Sequence, residues 1–198
     1  MFEVNTNIII DNEKRGSTDT LIYECHNGWI RVLWPEYFHV HDFKICEYIS
    51  KHINIDTSSI HIYDSLFWEH QFVVDGEKIH QFCSNPTFFD DFSSIDNYSL
   101  SNPKQLANHL NIDVKSIEKY LVTDFTNENK PIKRGFLQKF LKNNSNKAYK
   151  GDKFEIDNYW VFTDFWAKLG ISYPTPVSNF VQILNLDRKF MEKLPTTY

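Results

Sequence analysis

Two runs rich in β-branched and aromatic residues, Leu66–Val74 and Glu77–Cys83, flank the dipeptide Asp75-Gly76. In both runs polar residues are interspersed among β-branched and aromatic ones, a composition that favours β-strands. Asp-Gly between such runs is typical of a two-residue type I′ turn, because that turn requires positive φ at both central positions. The pattern therefore predicts a β-hairpin over about residues 66–83.

A two-residue turn fixes which residues of a hairpin face one another. The expected pairs are Val74–Glu77, Phe72–Ile79, His70–Gln81 and Trp68–Cys83. The face predicted to enter the core carries Trp68, His70, Phe72, Val74, Ile79, Gln81 and Cys83. The other face carries Phe67, Glu69, Gln71, Val73, Lys78, His80 and Phe82. We expect His70 to bond the Gln81 amide, because a buried imidazole without a partner costs about 1–3 kcal/mol.

The rest of the chain indicates further strands, followed by helices. Strands are predicted over Phe2–Ile10, Thr20–Cys25, Trp29–Trp34 and Ser58–Asp64. Helices are predicted over Asp42–His52, Pro103–Leu110, Val114–Val122, Gly135–Lys142 and Asn158–Leu169, with Phe43, Cys46, Ile49 and Ile53 on the apolar side of the first. Asn102 and Asp113 are typical helix caps, and Gly170 is a typical C-terminal cap. Residues Asn179–Leu186 fit a strand or a helix.

These elements predict a single α+β domain over residues 1–198, sheet-rich over 1–90 and helix-rich over 100–198. Its antiparallel-dominated sheet is built around the hairpin and covered by helices. The aromatic share is 16%, so the core should be built largely from rings.

Cysteines and hydropathy indicate where such a protein works. Cys25, Cys46 and Cys83 form no C-x-x-C pair, which is typical of thiols in a reducing compartment. The N-terminal residues lack the basic and apolar regions of a signal peptide, and no run approaches the roughly 18 apolar residues of a membrane span. We expect a soluble, cytoplasmic protein that does not engage a membrane.

Charge divides the chain into two halves. Residues 1–100 hold 16 Asp/Glu and 6 Lys/Arg, and residues 101–198 hold 10 and 15, so the halves carry −10 and +5. An acidic half suits a cationic partner, with ordinary solubilising charge as the alternative. The stretch 130–153 is basic, and residues 143–153 are predicted to form a mobile surface loop.

Candidate catalytic chemistry is sparse. His39 and His41 would share a face of a strand and, with His61 or His70, could ligate one metal ion, so a metal-dependent hydrolase is an alternative function. Surface or hydrogen-bonded histidines are the simpler interpretation, and no cofactor is expected. The chain has no nucleophile elbow, and we expect Asp64 and Ser84 to bond nearby backbone N–H groups in turns.

A second alternative is nucleic-acid binding. Residues 104–121 resemble a helix-turn-helix followed by the basic stretch up to Lys153. The second helix would offer Lys115, Ser116, Glu118 and Lys119 to the bases, a poor set for reading base edges. Paired helices also commonly cover a sheet, so nucleic acid is the weaker interpretation.

The hairpin and its sequel carry a family resemblance. The pattern D-S-x-x-W-x-H-x-F-x-x-x-G-x-x-I-x-x-F-x-S-x-P-x-x-F, from Asp64 to Phe89, resembles a group of uncharacterised small bacterial proteins. The resemblance covers about Trp29–Ile171 and implies a similar fold, but it implies almost nothing about chemistry. His80 stands where that group is expected to have an acidic residue, so no role for such an acid is carried over.

The general character of the chain is similar to that of immunity proteins, which neutralise toxins by binding them. This similarity is one of character and not of motif. It predicts a protein–protein binding module of the immunity or antitoxin type, with a protein partner such as a basic toxin. Aromatic residues beside acidic ones are the candidate partner-binding residues. They are Trp34, Glu36, Tyr37, Phe38, Asp90, Asp91 and Asp96.

Overall fold

A computed structural model describes residues 19–34, 44–86, 101–122, 146–174 and 180–185 of the chain. The strands in these ranges are β1 (Asp19–His26), β2 (Trp29–Leu33), β3 (Thr57–Tyr63), β4 (Phe67–Val74), β5 (Glu77–Cys83) and β6 (Phe180–Asn185). The α-helices are α1 (Ile45–Ile53), α2 (Pro103–Leu110) and α3 (Val161–Lys168), and two 3-10 turns occupy Val114–Ser116 and Glu118–Tyr120. The predicted α+β class is confirmed.

The chain divides into two units. The first comprises residues 1–45 and 170–198, and the second comprises residues 46–169. The first unit contains an antiparallel sheet with the strand order β2-β1-β6. A two-residue turn joins β1 to β2, with φ of 52° at Asn27 and 82° at Gly28. Asn-Gly is the favoured sequence for such a turn. The dipeptide Asn27-Gly28 between the two predicted strands is therefore a signal for this hairpin in the sequence itself.

The second unit contains an antiparallel sheet with the strand order β3-β4-β5. Its β4–β5 hairpin reverses at Asp75 and Gly76, whose φ values are 52° and 81°. The predicted turn and the pair Val74–Glu77 are therefore confirmed.

The predicted register beyond the turn is wrong, because β5 contains a bulge. Val73 pairs with Lys78 and Phe72 pairs with His80, which leaves Ile79 as the extra residue. The expected pairs Phe72–Ile79, His70–Gln81 and Trp68–Cys83 are replaced by Phe72–His80, His70–Phe82 and Glu69–Cys83. A bulge moves every later side chain to the other face. His80 and Phe82 therefore join the face of Trp68 and Phe72, in place of Ile79, Gln81 and Cys83.

Both faces of β4 are buried, although one buried face was expected. Trp68, His70 and Phe72 on the first face are at most 2% exposed, and Phe67 and Val73 on the second are similarly covered. A strand covered on both faces lies at the centre of its sheet and needs apolar neighbours on each side. We call the side of Trp68, His70 and Phe72 the inner face, and the side of Phe67, Glu69 and Val73 the outer face.

Helix α1 covers the outer face. Thr57 donates from Oγ1 to the Cys46 carbonyl at 3.1 Å, and the Ser50 hydroxyl donates to the Val73 carbonyl at 3.5 Å. The Gly76 amide in turn donates to Ser50 Oγ at 3.2 Å. The last turns of α1 are thereby attached to the hairpin reversal.

The inner face is covered by α2, the two 3-10 turns and α3, which we call the helical layer. The Phe165 ring of α3 lies 5.6 Å from Trp68 and 5.0 Å from His70, measured between centroids. On α2, His109 meets Phe72 edge-on at 5.8 Å. Leu106, Ile117 and Phe165 are fully buried in the resulting core.

A buried carboxylate holds part of the helical layer together. Asp152, 5% exposed, accepts from Tyr120 Oη at Oδ1 and from the Tyr149 amide at Oδ2, both at 2.7 Å. Lys168 Nζ lies 3.8 Å from Oδ1. Burial, with the hydrogen bond to Asp152, raises the pKa of Tyr120 far above its ordinary value. Of the loop predicted over 143–153, the described part, 146–153, forms no helix or strand and exposes Lys150 and Lys153, but it packs around the buried Asp152.

Some of the predicted helices are confirmed and others are not. α2 begins and ends as predicted, with Asn102 Oδ1 accepting from the Gln105 amide at 3.0 Å. The predicted helix Val114–Val122 is wrong, because the backbone leaves helical geometry at Ile117 (φ −123°) and forms two 3-10 turns. The helix expected over Asn158–Leu169 is shortened to α3. Residues 180–185 resolve to a strand.

Three predicted elements lie wholly or partly outside the described residues. They are the strand Phe2–Ile10, the helix Gly135–Lys142 and the first residues of the helix Asp42–His52. Within the described part of the chain, no helix is long and apolar enough to cross a membrane.

Replacing Gly76 by alanine tests the contact between α1 and the hairpin turn. A Cβ at Gly76 would lie 2.9 Å from Lys51 Cβ, in a backbone conformation with φ of +81°. Strain and steric conflict together should lower the free energy of unfolding by about 2–4 kcal/mol. Urea denaturation measures the loss.

The matched control is Gly151→Ala in the same unit. Gly151 also has a positive φ, +99°, but a Cβ there would meet nothing within 4 Å. Its loss should be about 1 kcal/mol, from the backbone alone. Equal losses in the two variants would contradict the close approach of α1 to the turn.

Candidate functional site

A pair of histidines lies at the centre of the inner face. His70 Nδ1 and His80 Nδ1 are 3.0 Å apart, and the two residues are 0% and 1% exposed. One ring nitrogen must donate and the other must accept, so a single proton lies between the two Nδ1 atoms. The bulge at Ile79 creates this pair, because it turns His80 towards His70.

The pair continues into a chain of hydrogen bonds that spans the sheet and the helical layer. His70 Nε2 lies 2.9 Å from Ser58 Oγ on β3, and Trp166 Nε1 of α3 donates to the same hydroxyl at 3.0 Å. Three strands and one helix thus contribute one group each. Such a network fixes the elements relative to one another when all its members are bonded.

The surroundings of the pair favour neutral rings. Burial lowers the pKa of His80 from 6.5 to about 4. The neighbours are aromatic, with Phe165 edge-on to His70 and with Trp68 and Phe82 4.8 Å apart on the same face. His80 Nε2 is buried and has no hydrogen-bond partner among the described residues. A positive charge at this position would therefore lack compensation.

Neutral imidazoles can in principle bind a metal or accept a proton in catalysis. Among the described residues, no group of three or more His, Cys, Asp or Glu is placed to hold a metal ion. The pair is also closed off from solvent by the helical layer. Within the described residues, the pair joins β4 to β5 inside the core.

The outer face carries a second row of ionisable residues. His61 and Cys83 both lie opposite Glu69 on the neighbouring strands, and His61 Nδ1 is 4.0 Å from Glu69 Oε2. Burial, with the charge of Glu69, strongly raises the pKa of the Cys83 thiol, and burial raises that of Cys46 to about 11. Both thiols are protonated at neutral pH, and a protonated thiol is a poor nucleophile.

In the first unit, Arg31 joins the β1–β2 hairpin to the segment after Gly170. Its guanidinium donates to Ser172 Oγ at 3.0 Å and to the Glu24 carbonyl at 2.7 Å. Ser172 Oγ also lies 3.2 Å from His26 Nδ1. Because Arg31 bridges two backbone segments, this contact stabilises the unit.

Most of the predicted site residues are not described. Trp34 follows β2 and is half-buried. The other candidate partner-binding residues, Glu36, Tyr37, Phe38, Asp90, Asp91 and Asp96, lie outside the described residues, as do His39 and His41. The contribution of these residues to a site stays a prediction.

Two residues and one segment named from the sequence have definite places. His70 points into the core as predicted, but its partners are His80 and Ser58 and not Gln81. Ser84 Oγ accepts from a backbone amide as predicted, at 3.1 Å, but the donor is Trp68 on β4 and not a residue of the same turn. The helix proposed to read DNA is absent from its segment, because residues 114–120 form the two 3-10 turns.

An exposed apolar surface lies at the C-terminal end of α1. Ile53 is 64% exposed, Ile55 is 47% exposed and Tyr48 is 38% exposed. The Tyr48 ring stacks on His52 with centroids 4.0 Å apart. We call Tyr48, Ile53 and Ile55 the α1-end patch. The apolar spacing in the sequence placed Ile53 on the covered side of the helix, and this expectation is wrong.

The sequence was compared with protein-family models, with curated proteins and with solved structures, and none of the three comparisons gave a match. The family resemblance and the similarity to immunity proteins therefore stay predictions.

Replacing Ser58 by alanine tests the hydrogen-bond network. His70 and Trp166 each lose a bond in a buried setting, so we expect a loss of about 2–4 kcal/mol in the free energy of unfolding. Thermal and urea denaturation of the variant measure this loss.

Ser84→Ala is the matched control, since it also removes a half-buried hydroxyl but breaks one bond at the end of a strand. Its loss should be about 1 kcal/mol. A Ser58→Ala loss no larger than that of Ser84→Ala would contradict a structural role for the network.

Proposed function

We propose that the protein is a protein–protein binding module of the immunity or antitoxin type, which neutralises a cationic toxin by covering it. The observation that carries the proposal is the α1-end patch. Two isoleucines and a tyrosine lie exposed within the eight residues 48–55 of the second unit. Clustered exposed apolar side chains are typical of a protein interface.

The surroundings of the patch support the same proposal. Glu47 and Lys78 form an ion pair at 3.9 Å on one side of α1, and Asp56 and His109 are 2.7 Å apart after its end. Apolar residues within a charged rim are the usual anatomy of a specific interface. Burial of an isoleucine is worth about 1.5–3 kcal/mol, so the patch could anchor a partner.

Charge supports a cationic partner. The first hundred residues, which include α1, hold 16 acidic and 6 basic residues. Opposite charge accelerates association and selects among partners more than it adds affinity. The acidic candidates Asp90 and Asp91 belong to this half.

Association with the product of the gene directly upstream is the experiment that tests the proposal. We expect the chain to bind that product and to relieve the growth arrest it causes. Ile53→Gln plus Ile55→Gln should weaken binding by at least roughly tenfold, because the apolar contact is lost. Asp90→Lys plus Asp91→Lys should slow association and reduce its dependence on salt.

Two other exposed residues provide a matched control. Ile30 and Leu66, 64% and 60% exposed, lie in β2 and in the β3–β4 turn and not in the patch. Ile30→Gln plus Leu66→Gln should leave binding unchanged. Equal effects of the two double variants would exclude the patch as the interface. A chain that gives no protection and does not bind would contradict the proposed class.

A further inference from the structure

We propose that the His70–His80 pair makes the attachment of the helical layer to the sheet sensitive to pH, so that mild acid makes opening of this layer more frequent while α1 stays attached. The inference concerns the second unit alone and does not rest on the proposed function.

The pair lies at the contact between the sheet and the helical layer. Both imidazoles lie between the sheet and the helical layer, and neither is more than 1% exposed. His70 touches Phe165 of α3, and Ser58, its other partner, accepts from Trp166 of the same helix. A charge on either ring would therefore be placed inside the contact between α3 and the sheet.

Added protons would disturb the hydrogen bonding of the pair. The 3.0 Å contact between the Nδ1 atoms is satisfied by one proton. A first extra proton leaves a cation whose His80 Nε2–H has no acceptor among the described residues. A second extra proton puts two N–H groups against each other. Separation of the helical layer from the sheet admits water and relieves both problems.

The other charged groups near this contact are already engaged. On α2, His109 Nε2 lies 2.7 Å from Asp56 Oδ2. In the helical layer, Asp152 bonds Tyr120 and Lys168 lies beside it, while the Asp164 carboxylate accepts from the Lys153 and Phe154 amides. On the outer face, His61 and Glu69 lie across the sheet from the pair. Burial is the cause that lowers the pKa of His80, with no neighbouring charge involved.

The size of the pH effect follows from the difference between the pKa of His80 in the folded state and that of a free imidazole. A folded-state pKa of about 4 against 6.5 for a free imidazole means that opening takes up a proton as the pH falls below 6.5. Stability from this group is complete above 6.5 and is lost progressively towards pH 4. Between pH 7.5 and pH 5, opening should become roughly 30-fold more frequent through His80 alone.

Hydrogen exchange of the full chain, followed by mass spectrometry, tests the proposal. Protection factors of amides in Val161–Lys168 should fall roughly 30-fold between pH 7.5 and pH 5, after correction for intrinsic exchange. Those in Ile45–Ile53 should change less than threefold, because α1 lies on the other face. The comparison stops at pH 5, since carboxylates ordinarily titrate about one unit lower.

Two variants separate the pair from other histidines. His80→Asn keeps a group that can bond His70 Nδ1 but cannot take up a proton, so the pH dependence in α3 should become shallower. His52→Gln removes an exposed histidine of α1 and should leave the dependence as in the parent chain. An unchanged profile in α3, or equal losses in α3 and α1, would overturn the proposal.

A measurement on the parent chain covers the case in which His80→Asn does not fold. The imidazole signals of His80, followed by NMR, should keep their neutral form down to pH 5 in the closed state. Titration of the His80 ring near 6.5, as in water, would show that it is solvated and would overturn the proposal.

Discussion

Burial of β4 on both faces is the constraint on which the second unit depends. Phe67 and Val73 on the outer face and Trp68 and Phe72 on the inner face are at most 2% exposed. A strand of this kind cannot lie at an edge, so β3 and β5 must flank it. It also requires cover on each side, which α1 provides on the outer face and the helical layer on the inner one. The apolar area of one strand thus determines the arrangement of the other elements.

The same constraint makes the polar residues of β4 costly unless they are bonded. Glu69 and His70 are buried next to each other on opposite faces, and each faces a group that can bond it. Glu69 lies opposite Cys83, and His70 reaches His80 because of the bulge. A regular ladder would place Gln81 opposite His70 and would bring Cys83 to the inner face. In the bulged register, both buried polar residues of β4 thus face a group that can bond them.

Local features of this fold could be predicted from the sequence, and features that depend on distant residues could not. Asp75-Gly76 encodes its turn by the backbone preference of two residues, and Asn102 caps α2 through an amide three residues away. The bulge at Ile79 has no local signal, because it is selected by contacts across the sheet. Glu69 and Gln71 made the outer face look solvated, although α1 covers it. The candidate site shows the same limit: Ser58 and Trp166 are separated by 108 positions in the sequence.

The exposed end of α1 also follows from the way the helix is attached. Ser50 accepts from Gly76, and Lys51 packs on the same turn, so the helix must extend as far as the point where the strands reverse. The apolar stripe of the helix continues to Ile53, which is 64% exposed. A glutamine or lysine at this position would satisfy the attachment equally well, since the attachment uses Ser50 and Lys51. The fold of the described residues therefore does not require Ile53 to be apolar.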